Sequence, residues 1–231
     1  MKHIVVLTGA GMSAESGIAT FRDSGGLWEQ HAIEDVATPE GFQRNPQLVL
    51  DFYNERRKAA FGAKPNKGHI GLAEMESDYK ISIITQNVDN LHERAGSTNV
   101  IHLHGELNKV RSTADPSLIY TLTSDKPEIN IGDKCEKGSQ LRPHIVWFGE
   151  AVPMIEKAAE ITQQADILVV IGTSLNVYPA AGLINYTKQN TPIYLIDPKE
   201  VKTNIKSIHF IQKGASEGVE ELREILKLKY S

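Results

Sequence analysis

The stretch from Ile4 to Trp28, IVVLTGAGMSAESGIATFRDSGGLW, restricts the fold more than any other part of the chain. Ile4, Val5, Val6 and Leu7 form a short uncharged run rich in β-branched residues, the pattern of a strand buried on both faces, and Gly9 interrupts it at once. Gly9, Gly11 and Ala14 then give G-x-G-x-x-A: a glycine for a tight turn, a second for close backbone approach to a pyrophosphate, and a small residue where helix meets strand. Amides at the start of the following helix are expected to hold the phosphates, although a plain βα turn built of small residues gives the same spelling. Ser13, Ser16 and Gly17 lead into a Gly/Ser-rich loop carrying Thr20, Phe21, Arg22 and Trp28, which reads as a mobile flap over a bound nucleotide.

The rest of the chain repeats the alternation of strand and helix. Thr38-Pro39 and Asn45-Pro46 are helix starts, and apolar residues at helical spacing follow the second through Arg57, placing Tyr53 and Arg56 three apart on one face. Strands are expected at Ile81–Thr85, ending in Gln86-Asn87-Val88-Asp89-Asn90, and at Val100–Gly105, ending in His104. Further strands are expected at Pro143–Glu150, Asp166–Ile171 and Pro192–Asp197, with helices at His69–Ser77, Met154–Gln164, Pro179–Gln189 and Ser216–Lys229. Leu107 to Arg142 loses the rhythm and reads as an insert. The expected fold class is α/β, a Rossmann-type doubly wound parallel sheet with a small inserted subdomain. Its core takes roughly residues 1–35, 78–106 and 143–231, a small helical insert roughly 36–77, and a second insert roughly 107–142. Polar strand ends such as 86–90 lie where open α/β sheets bind ligands.

Bulk properties narrow the function. The 231 residues suffice for one sizeable core, and 23% charged with 40% apolar residues is an ordinary globular balance. A net charge of -4 gives no basic footprint, so no direct nucleic-acid partner is expected. The single cysteine, Cys135, excludes an intrachain disulfide and suits a reducing, cytoplasmic setting. No apolar run approaches the about 18 residues of a membrane span, and the first strand begins too early for a signal peptide, so no membrane association is expected.

GAGMSAESGIATFRDSGGLW at 9–28, TQNVDNLHERAG at 85–96, His104-Gly105, LRPHIVWFGE at 141–150 and GTSLNVYPAAG at 172–182 resemble, in order and over nearly the whole chain, the motifs of the sirtuin family. The resemblance implies an NAD-dependent protein-lysine deacylase that yields nicotinamide, the free lysine and O-acyl-ADP-ribose. An ADP-ribosyltransferase or NAD glycohydrolase would use the same cleavage with another acceptor, and a non-catalytic NAD-sensing module is the remaining alternative.

The reaction needs a base to activate a ribose hydroxyl, and His104, an imidazole titrating near neutral pH, is its candidate; His102 is given a structural role. Asn87 and Asp89 resemble the pair that positions ribose, water and the nicotinamide carboxamide, and the cofactor set is extended by Gln86 and Val88. Gly9, Ala10, Gly11, Ser13, Ala14, Gly17, Thr20, Phe21, Arg22, Trp28, Gly172, Thr173, Ser174, Asp197 and Ala215 complete the implied NAD contacts. The family threads its acylated lysine peptide as an added strand between two edges, here Val146, Trp147, Phe148, Gly149 and Glu150 on one side and Asn176, Val177 and Tyr178 on the other.

Tyr53 and Arg56 form the Tyr-x-x-Arg pair of relatives that prefer succinyl and malonyl groups, where a guanidinium beside a phenol binds a terminal carboxylate. One departure stands out. The family's small domain usually holds zinc on four cysteines; here Ser112 stands near the first position and only Cys135 marks the second pair, so zinc is not expected.

Overall fold

The computed structural model describes residues 1–20, 31–201 and 207–230. The elements run β1 (His3–Thr8), α1 (Gly11–Ala14), α2 (Ile33–Val36), α3 (Pro39–Arg44), α4 (Pro46–Gly62), α5 (Lys67–Glu74), β2 (Lys80–Thr85), α6 (Leu91–Ala95) and β3 (Val100–His102). They continue through β4 (Gly105–Ser112), β5 (Ile119–Thr121), β6 (Leu141–Ile145), α7 (Ile155–Gln163), β7 (Ile167–Ile171), β8 (Ile193–Ile196), β9 (Ile208–Ile211) and α8 (Ala215–Tyr230).

Six of the strands form one parallel sheet in the order β3-β2-β1-β7-β8-β9. All six residues of β1 and all five of β7 are buried, as runs of Val, Ile and Leu covered on both faces must be. Alternate residues of these strands point to opposite sides. Ile4, Val6, Val169 and Ile171 pack on Leu72 of α5 and on Val219, Leu222 and Leu226 of α8. Val5, Leu7, Leu168 and Val170 pack on Ala158 of α7 and on Leu183 and Ile184. Each fully buried Val or Leu on α8 contributes about 1.5–3 kcal/mol, which is what holds that helix to the sheet.

The helices begin where the sequence places its caps. Thr38 Oγ1 accepts the Gly41 amide ahead of α3, and Asn45 Oδ1 accepts the Leu48 amide ahead of α4, each with proline in the first turn. Asn66 caps α5 reciprocally: its Oδ1 takes the Gly68 and His69 amides while His69 Nδ1 accepts the Asn66 amide. Helix α4 presents Val49, Phe52 and Tyr53 to Leu107, Ile145 and Trp147, and so forms a bridge to the second, antiparallel sheet, β5-β4-β6.

Several expectations are corrected. The strand expected from Pro143 does not join the main sheet: β6 pairs antiparallel with β4 in the small sheet, and 146–150 leave it as an extended segment and turn. An apolar run carries no mark of which sheet it joins. The strand expected at 100–105 stops at His102, because Gly105, at a φ of +84°, turns the chain into β4. The segment 180–186 is a 3-10 helix, with Gly182 inside it and no side-chain cap. β9 at the sheet edge, IHFI with two exposed residues, carries too short and too mixed a pattern to be read from sequence. Among the described residues no helix is long and apolar enough to cross a membrane.

Candidate active site

The chain leaves β1 in one direction toward β2 and β3 and returns on its other side as β7, so the sheet order reverses between β1 and β7. Ligands in open α/β sheets bind outside the carboxyl ends of the strands at such a reversal. A cavity of about 750 Å³ opens there. It runs from Gly9, Ala10, Gly11 and Ala14 past Gln86, Asn87, Val88 and His104 to Gly172, Thr173, Ser174 and Asp197. Tyr53 and Arg56 of α4, residues 146–150 and residues 176–179 line its other end.

The glycines at its floor serve loop packing. A Cβ on Gly9 would stand 2.7 Å from the Gly172 carbonyl oxygen, one on Gly11 2.6 Å from the Gly172 Cα, and one on Gly172 2.4 Å from the Met12 nitrogen. The two loops thus touch through backbone alone. The amides of Gly11, Met12 and Ser13 donate to the carbonyls of Gly172, Gly9 and Ala10. Of the amides expected to hold phosphates at the helix start, those of Gly11, Met12 and Ser13 are already bonded within the two loops, α1 being a single turn.

His104 follows β3, and its Nδ1 lies 3.1 Å from the Gln86 carbonyl oxygen, which can only accept. The proton therefore sits on Nδ1, and Nε2 is the nitrogen able to take another. Burial lowers the His104 pKa below the usual histidine value, with the Gln86 carbonyl opposing, so the ring is neutral at physiological pH.

Asn87 and Asp89 meet at Ser13, whose hydroxyl donates to Asp89 Oδ2 at 2.9 Å and accepts from Asn87 Nδ2 at 3.1 Å. Ser13 is 1% exposed and Asp89 6%, so both lie beneath the cavity wall. Desolvation pushes the Asp89 carboxyl up, opposed by the Leu91 amide and the Ser13 hydroxyl. Under these residues is a polar layer built from His69, His92, Thr8 and Thr85. His69 Nε2 reaches Ser13 Oγ at 3.5 Å, His92 Nε2 reaches Thr8 Oγ1 at 3.2 Å, and Thr8 donates to Thr85 Oγ1, which also accepts the Asn87 amide. The two rings meet edge to face, and burial drives His69 down to about 4 and His92 well below its usual value. The Asn66-x-x-His69 cap is the sequence signal for His69; His92, in TQNVDNLHERAG at 85–96, has no local pattern that marks it as buried.

At the other end of the cavity, Tyr53 is 5% exposed and accepts the Trp147 indole N–H at 3.1 Å. Burial pushes its hydroxyl up to about 12, so it keeps its proton and can donate it. The Arg56 guanidinium lies 4.5 Å from the Phe52 ring centroid; burial lowers it to about 10, still cationic at neutral pH. The Glu150 carboxylate accepts from Arg142, Arg111 and the Trp147 amide, and the Arg142 guanidinium stacks 3.4 Å from the Trp147 ring centroid. Glu150 thereby fixes Trp147. The amides of Val146 and Phe148 donate to the carbonyls of His104 and Ala37, so an added strand on this side would pair mainly with carbonyl oxygens.

The remaining assigned residues divide. Gln86 Nε2 donates to Thr173 Oγ1 at 3.2 Å across the cavity, and Asp197 Oδ1 accepts the Lys199 amide. Thr20, Ser174, Val177 and Tyr178 line the cavity, Gly149 joins them at its turn, and Gly17 and the buried Ala215 do not. Phe21, Arg22 and Trp28 lie outside the described residues. In the small sheet, the Cys135 thiol donates to Ser112 Oγ at 3.3 Å, and no group of three or more His, Cys, Asp or Glu able to hold a metal is present among the described residues.

A 3-2-1-4-5-6 parallel sheet, a cavity at its reversal and a tautomer-fixed histidine on that cavity's wall define a Rossmann-type nucleotide-site enzyme. The Sir2 family model matches residues 9–179. An NAD-dependent protein deacylase of Bacteroides thetaiotaomicron is 60% identical over 230 residues, 98% of each chain. A Sir2 homologue solved as an NAD complex superposes with a TM-score of 0.88 at 43% identity, covering 100% of this chain and 91% of that one. A Sir2–p53 peptide–NAD+ complex does so with 0.82 at 31%, covering 98% and 94%. The chain belongs to the Sir2 family.

Proposed function

We propose that this Sir2-family, NAD-dependent protein deacylase removes acyl groups that end in a carboxylate, such as succinyl and malonyl, from protein lysines, and that it also accepts acetyl-lysine. The observation that carries the reading is that Tyr53 and Arg56 line the same cavity as His104. A phenol that keeps its proton and a guanidinium in a largely apolar wall are complementary to a carboxylate and gain nothing from an acetyl methyl.

The residues fit the nucleotide on this structure's own terms. The cavity is of ordinary size for a cofactor, its floor is bare backbone, and its walls carry amide, hydroxyl and carboxylate groups suited to ribose. Bound NAD supplies the ribose carbon that receives the acyl oxygen as nicotinamide departs. Gly9 to Gly11 let the phosphate and ribose portion come close to bare backbone, Thr173 and Ser174 hold it, and Asp197 accepts from ribose hydroxyls. Asn87 and Asp89, locked together through Ser13, orient the nicotinamide end. Neutral His104 accepts a ribose hydroxyl proton at Nε2, and the Gln86 carbonyl stabilises the charge this creates on Nδ1–H. The peptide enters between 146–149 and 176–178 as an extended strand, read mainly through its backbone.

The test is nicotinamide release with matched acetyl- and succinyl-lysine peptides. Succinyl kcat/KM is expected to fall about 10- to 100-fold in Arg56→Met, the loss of one charge-assisted pair, with a much smaller effect on acetyl turnover. His104→Ala abolishes both. Equal losses for the two peptides in Arg56→Met would sink the carboxylate assignment, and release that ignores the peptide would sink the deacylase reading.

A further inference from the structure

His102 and His104 both hold the segment that carries Asn87, and they meet different sets of acceptors. His104 Nδ1 faces the Gln86 carbonyl, and His102 Nδ1 faces the next carbonyl along, that of Asn87, at 3.1 Å. His102 differs at its other nitrogen. Its Nε2 lies 2.7 Å from Glu93 Oε1 of α6. A backbone carbonyl and a carboxylate both only accept, so a ring that bonds to both must donate from both nitrogens, which only the imidazolium does.

We propose that His102 is a positioning residue, a buried imidazolium clamped between Glu93 and the Asn87 carbonyl, and that loss of its second proton sets the alkaline limit of the reaction. The proposal rests on the assignment of Asn87 to the nicotinamide end of the site. The charged and titratable surroundings agree with it. Glu93 and Glu106 of β4 favour the cation, Asp89 lies on the same side, and His92, itself neutral, adds no competing charge. Glu93 is held below the usual carboxylate value, against burial, chiefly by its hydrogen bond to His102, with Lys109 of β4 adding a smaller attraction. Burial opposes the charge on His102, but its hydrogen bond to Glu93 and the surrounding carboxylates outweigh burial and raise its pKa, while Glu93 is lowered, so the two partners agree.

The consequence follows from geometry. Below the His102 pKa, α6 is tied through Glu93 and His102 to the Asn87 carbonyl, whose side chain bonds Ser13 and through it Asp89. Above it, one of the two bonds loses its proton, and the Asn87 backbone loses its tie to α6. Positive charge beside Asp89 is lost in the same step, and with it one of the effects that keep this desolvated carboxyl ionised.

The experiment uses the intact enzyme labelled with 15N-histidine, followed by two-bond 1H–15N correlation from about pH 5.5 to about pH 9, with His102→Gln identifying the resonance. Both His102 nitrogens are expected to be protonated at neutral pH and to titrate on the alkaline side. In Glu93→Gln that titration moves toward neutrality by about one pH unit, and the alkaline limb of kcat/KM for NAD moves with it. His102→Gln lowers kcat/KM about tenfold or more while keeping the acid limb that belongs to His104. A neutral His102 tautomer at neutral pH overturns the imidazolium. A titration that moves in Glu93→Gln without the kinetic limb overturns the positioning role. Should the chain release no nicotinamide, calorimetric NAD affinity against pH replaces the kinetic limb, so failure of the deacylase reading is seen apart from failure of this one.

Discussion

Single hydrogen bonds fix the protonation states of the residues in this site. His104 is neutral because burial penalises its charge and because only one of its nitrogens meets an acceptor. A base must be unprotonated to work, so kcat/KM is expected to fall on the acid side through an apparent pKa below the ordinary histidine value near 6.5, and to be flat from there toward neutrality. A pH profile with its acid midpoint above 7 would contradict the burial argument. Tyr53 shows the same control in a different group: the Trp147 indole occupies its oxygen, so its own proton is left to be given to a ligand. Trp147→Phe removes that donor and leaves a buried phenol oxygen unmatched. It is expected to lower stability by about 1–3 kcal/mol in urea denaturation, and a change within error would mean that the bond contributes nothing.

Among the elements, the decisive contact is between the β1 turn and the end of β7, which touch through glycine backbone. Gly172 has a φ of +61°, and its missing Cβ would sit 2.4 Å from a backbone nitrogen. Gly17 has a φ of +83° but nothing within 4 Å of its Cβ position. Gly17→Ala should therefore cost only the left-handed conformation, about 1–2 kcal/mol. Gly172→Ala must also move backbone and is expected to cost well above 3 kcal/mol, among the large effects of a single mutation, or to prevent folding. Similar losses for the two variants, measured side by side in urea, would refute the close-contact explanation. The same contact explains why the helix start has few amides to offer: Gly11 spends its N–H on Gly172.

For the whole molecule, the question is what ties the small sheet to the main one without zinc cysteines. Arg57 of α4, 1% exposed, donates from Nε to the Leu107 carbonyl at 2.6 Å and from Nη1 to the Pro127 carbonyl at 2.7 Å. Asn54 bonds both the amide and the carbonyl of Ile129. These four bonds lash the insert to the helix that also bears Tyr53 and Arg56. Arg57→Ala is expected to destabilise by about 3 kcal/mol or more, since it strands the buried Leu107 carbonyl and the part-buried Pro127 carbonyl and empties a fully buried site, while a strong chelator leaves the melting temperature of the wild type unchanged. A drop on chelation would instead reveal a metal.

The sequence by itself determined the α/β alternation, the glycine turn after β1, the polar ends of β2 and β3, and the shared face of Tyr53 and Arg56. All of these are set by periods of two or 3.6 residues and by glycine, proline and capping chemistry within a few residues of one another. Tertiary structure alone decided which sheet β6 joins, which amides of the first turn remain available, and how the histidines are protonated. His69, His92, His102 and His104 are chemically alike in the sequence. They differ because one is buried against a hydroxyl, one against a threonine, one between two acceptors and one against a single carbonyl. Apart from the Asn66 cap of His69, those partners lie between 9 and 84 residues away in the chain, beyond the reach of a helix or strand period.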